Sequence, residues 1–241
     1  MNNNSNLSYS NDIFMIPFLW VFILWFVYYL ELRFDWNFNK YGIYPRNFSG
    51  LKGVFFSPFI HGDTQHLFNN SVPLFVLGTS IFYFYRKVSL KLMIFGTLIT
   101  GVLTWLIGRE SHHIGASGVV YLLFSFVFFS GIIKKHYRLV AMSLIIIFLY
   151  GSMIWYVFPV KEGISWEGHL SGFLVGLFFA YVYRKQGLVK EKFQFTKTAF
   201  DDMFDEDGNY IPPSIIDETE EESLPNFTYQ YVYKPNKSDQ E

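Results

Sequence analysis

Cysteine is absent from this 241-residue chain. That excludes a disulfide framework, a thiolate nucleophile and thiolate metal ligation. Charge is scarce too. Only 16% of residues are Asp, Glu, Lys or Arg, where a soluble domain has about a quarter. No H-E-x-x-H occurs, and no carboxylate sits within an apolar run beside the histidines, so no metal centre is expected. The N-terminus lacks the basic stretch and small-x-small site of a cleavable signal peptide, and the apolar run behind it is too long for one. No internal repeat is evident.

What is abundant is apolar and aromatic surface: 51% hydrophobic residues, with 29 Phe, 17 Tyr and 6 Trp. Six apolar segments run at about 13–30, 66–85, 90–108, 115–133, 139–158 and 169–185. Each is long enough to cross ~30 Å of hydrocarbon as a helix. Pro17 and Pro73 are expected near helix starts, where a missing N–H costs little. The fold class expected is therefore an all-α membrane bundle of six transmembrane helices over residues 13–186.

The net charge of −1 hides a division. Residues 1–186 hold 14 Lys and Arg against 7 Asp and Glu, and residues 187–241 hold 5 against 13. The second region reads as a weakly ordered acidic tail. Its Asp205-Glu206-Asp207-Gly208 matches part of a calcium loop, but Met203 and Ser214 stand where ligands are needed. No calcium site is expected there.

Orientation follows from basic residues in the short loops. Arg86, Lys87 and Lys91 follow the second segment, Lys134, Lys135 and Arg138 the fourth, and Arg184, Lys185, Lys190 and Lys192 the sixth. The opposite short loops carry only Arg109 and Lys161. Residues 1–12 and 187–241 are then cytoplasmic, and loop 31–65 is external. That loop is rich in aromatics, including Phe34, Trp36, Phe48, Phe55 and Phe56, a composition suited equally to the headgroup interface and to an ordinary folded external loop. Membrane lipid is an expected partner; nucleic acid, metal and cofactor are not.

This topology gathers polar residues at one depth. His66, Ser117 and His169 each fall near the external start of an outside-to-inside segment. Ionisable groups in spans are functional candidates, because facing hydrocarbon is costly. Ser117 lies in Gly115-Ala116-Ser117-Gly118, and its small neighbours allow close approach to the hydroxyl. His66 and Asn70 share one helix face, as do Ser117 and Tyr121. Gly168, Gly172 and Gly176 let the sixth segment approach a neighbour closely. If that neighbour is the fourth segment, His169 reaches Ser117 and can act as its general base. Tyr121 then stacks on the imidazole. The Ser117 N–H, His66 and Asn70 are candidate oxyanion donors. Glu162 and Glu167 precede His169, but neither has a spacing that demands contact, so a Ser–His dyad is favoured over a triad.

Residues 42–185 resemble the rhomboid intramembrane serine proteases. The resemblance rests on Tyr44-Pro45-Arg46, on Phe59 to Asn70 (FIHGDTQHLFNN), on Gly115 to Tyr121 (GASGVVY) and on Gly168 to Gly176 (GHLSGFLVG). It implies Ser117 as nucleophile, His169 as base, and an oxyanion site of His66, Asn70 and the Ser117 amide. It also implies a first loop partly in the outer leaflet, a gate at the fifth helix, and single-span protein substrates cut near the external surface. A glutamate frequent beyond Gly78 in such proteins is replaced by Thr79-Ser80-Ile81-Phe82. Gly168 stands where alanine is usual. The alternative function is a non-catalytic relative that binds transmembrane clients. The location implied is a prokaryotic plasma (inner) membrane, with both termini cytoplasmic.

Overall fold

In hydrocarbon a backbone must satisfy its own N–H and C=O groups, and an apolar run does so most simply as a helix. The computed structural model describes residues 11–150, 155–161, 163–187, 197–198 and 200–211. The chain divides into two units, residues 1–191 and 192–241.

The first unit contains α1 (Asp12–Phe34), a short α2 (Gly53–Phe56), α3 (Thr64–Phe84), α4 (Arg86–Ile107), α5 (Ser117–Lys134), α6 (Tyr137–Tyr150) and α7 (Trp166–Val182). Among the described residues four helices, α1, α3, α4 and α5, are long and apolar enough to cross a membrane. The remaining two expected spans are shorter. α7 has 17 residues and α6 has 14, which is about 26 Å and 21 Å at ~1.5 Å per residue. The fifth segment was expected to continue to 158. Within the described residues α6 runs to Tyr150, and Trp155–Val157 is a 3₁₀ turn in place of helix; residues 151–154 lie outside the described residues.

Pro17 and Pro73 stand inside α1 and α3, not at their starts. In α3 the reason is the polar entry. Asp63 caps the helix by accepting the His66 N–H at 2.7 Å, so the helix begins at Thr64 and takes in His66 and Asn70 before Pro73.

The centre of the bundle is α5, packed most extensively on α7. Glycine makes this possible. A Cβ on Gly172 would stand 2.0 Å from the Gly118 carbonyl oxygen, and one on Gly176 would stand 2.3 Å from that of Leu122. Close backbone approach lets the Ser125 hydroxyl donate to the Phe173 carbonyl at 2.7 Å. Leu122, Leu123, Phe126 and Val127 fill the interior. α1 lies outermost against α3, where Trp25 Nε1 donates to Ser71 Oγ at 3.0 Å and Gly78 faces Pro17.

The loop between α1 and α3 is built, not loose. It carries 3₁₀ turns at Asn39–Tyr41, Phe48–Lys52 and Ser57–Phe59 around α2. Gly50 and Gly53 pack so tightly on the Tyr44 and Gly42 backbone that any Cβ would fall within about 2.3 Å of it. Arg46 ties the loop to the end of α4 through the Gly108 carbonyl at 2.6 Å. Ile43 pairs with His113 through two backbone bonds of 2.9 and 2.8 Å. Phe48, Phe55, Phe56 and Trp36 stay exposed.

Of the second unit, residues 197–198 and 200–211 are described. They form a 3₁₀ turn at Asp201–Met203 and a bridge between Phe204 and Tyr210. Asp205 accepts the N–H groups of Asp207 and Asn209, so its oxygens serve a local turn. The remainder of the expected tail lies outside the described residues.

Candidate active site

Ser117 is the first residue of α5, reached through Gly115 at φ +104°. A positive φ there favours glycine, and the turn it makes presents Ser117 at a helix N-terminus. First-turn N–H groups have no intrahelical acceptor, and the helix dipole places partial positive charge there. His169 stands in the first turn of α7. The glycine seam between the two helices brings the side chains together: His169 Nε2 lies 2.8 Å from Ser117 Oγ.

The other imidazole nitrogen is also held. His169 Nδ1 lies 2.8 Å from the carbonyl oxygen of Tyr156. A carbonyl can only accept, so Nδ1 carries the proton and Nε2 is left to accept from the Ser117 hydroxyl. The ring of Tyr121 stacks on that imidazole at 4.3 Å between centroids and 14° between planes. His169 and Tyr121 are both buried, which restricts the imidazole to this orientation.

His66 and Asn70 face Gly115. A Cβ on Gly115 would come within 2.7 Å of the His66 ring and 3.6 Å of Asn70 Nδ2. Asn70 Nδ2 is buried with no hydrogen-bond partner among the described residues. A buried, unpaired amide costs roughly 1–3 kcal/mol, so it is a donor available for an acceptor arriving beside Gly115. Gly118 lies 3.2 Å, measured from its would-be Cβ, from the Gly168 carbonyl oxygen. All the sequence-derived candidates thus fall in one place or on the seam that forms it.

Three features were not legible. Tyr156 contributes a backbone carbonyl, which no side-chain pattern reveals. His61 is buried, and its Nε2 accepts the Ala116 N–H at 3.3 Å. Burial, helped by neighbouring His66, pushes its pKa down to about 3, so it is neutral and able to accept. Glu167, 1% exposed, turns away from the pair and bonds Arg109. Among the described residues no carboxylate bonds His169; Glu162 lies outside them.

A helical bundle with four membrane-length helices among the described residues belongs among integral membrane proteins. The chain is a member of the rhomboid family: the Rhomboid domain model matches residues 49–186. It is similar to an uncharacterized protein of Mycobacterium bovis, 34% identical over 154 residues, covering 58% of this chain and 62% of that one. An uncharacterized protein of Mycobacterium leprae is 33% identical over 159 residues, with 58% and 61% covered. The chain thus spans a little over three-fifths of the length of these relatives.

Proposed function

We propose that this protein is an intramembrane serine endopeptidase that cleaves transmembrane-segment substrates near the external membrane face. The observation that carries the reading is the 2.8 Å approach of His169 Nε2 to Ser117 Oγ, with Nδ1 held at 2.8 Å by the Tyr156 carbonyl.

In this reading His169 takes the Ser117 hydroxyl proton as the oxygen attacks the scissile carbonyl carbon. The resulting oxyanion is met by the Ser117 N–H, by His66 and by the unpaired Asn70 amide. His169 returns the proton to the leaving amine as the C–N bond breaks, leaving an acyl-Ser117. Water, deprotonated by His169, then attacks the acyl carbon; the bond to Ser117 Oγ breaks, His169 returns the proton to Oγ, and the new carboxyl terminus leaves. The Tyr156 carbonyl takes the orienting place that a carboxylate holds in a triad. Such a carbonyl is neutral, so it fixes the tautomer and stabilises the imidazolium less than a charge would. The six-span topology, the cytoplasmic termini, the location in a plasma membrane and the contact of loop 31–65 with lipid are part of the same proposal.

The test is cleavage of a single-span reporter by the purified full chain in lipid vesicles. Cleavage is expected, with Ser117→Ala and His169→Ala both inactive but folded. Cleavage by Ser117→Ala would sink the mechanism. Reporter binding without cleavage by the unaltered protein would favour a non-catalytic client-binding role.

A further inference from the structure

Beside the Ser–His pair stands a second polar cluster with no role in the chemistry above. His113 is 4% and Glu167 1% exposed. Burying such groups is costly unless they are bonded, and here, Glu167 Oε2 apart, they are bonded in a set pattern. His113 Nε2 lies 3.0 Å from the Arg109 carbonyl, so it donates there. His113 Nδ1 then accepts from the Ser165 hydroxyl at 2.5 Å. The Ser165 oxygen in turn accepts the Gly168 N–H at 3.4 Å as the N-cap of α7. The second strap is parallel. Glu167 Oε1 accepts the Arg109 backbone N–H at 3.2 Å and lies 3.7 Å from its guanidinium. That guanidinium also donates to the Ile164 carbonyl at 2.6 Å.

Both straps join the same two pieces of chain. One is the first turn of α7, which carries His169. The other is the segment from Arg109 to His113, which leads within four residues to Ser117. Space has been left for this: a Cβ on Gly108 would sit 2.9 Å from His113 Nε2. His113 is further anchored to the external loop through its backbone pairing with Ile43.

We propose that His113 and Ser165, seconded by Arg109 and Glu167, are positioning residues that set His169 against Ser117. The glycine seam fixes how closely α5 and α7 approach, because small residues permit contact at any height. The clasp fixes the axial position and rotation of the first turn of α7, because hydrogen bonds are directional. Reacting groups held for proton transfer tolerate little displacement; about 1 Å costs on the order of 10²-fold.

The inference rests on the proposed Ser–His chemistry, and the experiment separates the two. The full chain in detergent is treated with a fluorophosphonate, and the labelling rate of Ser117 is measured with reporter kcat and KM. Ser165→Ala and His113→Ala are each expected to slow labelling and kcat by about ten- to a hundredfold, with KM little changed. Ser165→Thr, which keeps the hydroxyl, restores most of the rate. The double variant is no slower than either single one. Hydrogen exchange of residues 165–170 speeds up in Ser165→Ala, a readout that needs no catalysis. Labelling and exchange at the unaltered rate in Ser165→Ala overturn the clasp, as does an equal loss in Ser165→Thr. An unaltered protein that neither labels nor cleaves overturns the protease reading instead, and exchange alone then decides the clasp.

Discussion

The Gly118 carbonyl oxygen occupies the place where a side chain on Gly172 would begin, 2.0 Å from an ideal Cβ. One residue before Gly118 is the serine, and three before Gly172 is the histidine. The same contact that packs α5 on α7 therefore sets the separation of Ser117 and His169.

Gly172→Ala is expected to cost stability and chemistry together. Inserting a methyl into a filled interior costs typically about 1–3 kcal/mol, and the neighbour, the Gly118 carbonyl, is backbone, which cannot rotate away. Thermal unfolding in detergent should shift down, and fluorophosphonate labelling of Ser117 should fall. Gly62→Ala serves as the control, because the nearest atom to its Cβ is 3.9 Å away. It should change neither.

Asn70→Ala removes the unpaired Nδ2 donor beside Gly115. If that amide meets the oxyanion, kcat falls by about 10²–10³, the usual cost of one such donor, with little loss of fold. An unchanged kcat on a single-span reporter would remove Asn70 from the site.

Tyr121→Ala should slow cleavage more than Tyr121→Phe. The ring, stacked 4.3 Å from the His169 imidazole, holds the base in place, and such a pair is worth about 0.5–1.5 kcal/mol. Equal losses in the two variants would move the role to the hydroxyl.

Acid should destabilise the protein partly through His61. Its folded pKa is depressed by burial from 6.5 to about 3. Between those values the unfolded chain binds the proton and the folded one does not, so stability is full above about 6.5 and falls as pH drops toward 3. Protonation also removes the lone pair that accepts the Ala116 N–H. His61→Gln should flatten the fall of unfolding temperature between pH 7 and 4. An unchanged slope would assign the acid sensitivity to other groups.

The amino-acid sequence alone determined a great deal of this protein. Apolar length dictated helices, because a backbone in hydrocarbon has no other easy way to satisfy itself. Glycine spacing pointed to one tight helix pair, and residue type with spacing singled out Ser117, His169, His66, Asn70 and Tyr121. Tertiary structure decided the rest, for reasons of physics. The Tyr156 carbonyl became the orienting acceptor for His169 although every residue has a carbonyl and none announces its use. Helix starts were set by caps such as Asp63 and Ser165, so Pro73 fell inside α3. Glu167, close to the base in sequence, was turned toward Arg109, because a buried carboxylate goes to the nearest cation and N–H donors. His61 and His113 look alike as letters, and only their buried surroundings assigned one to the Ala116 N–H and the other to the Ser165 cap.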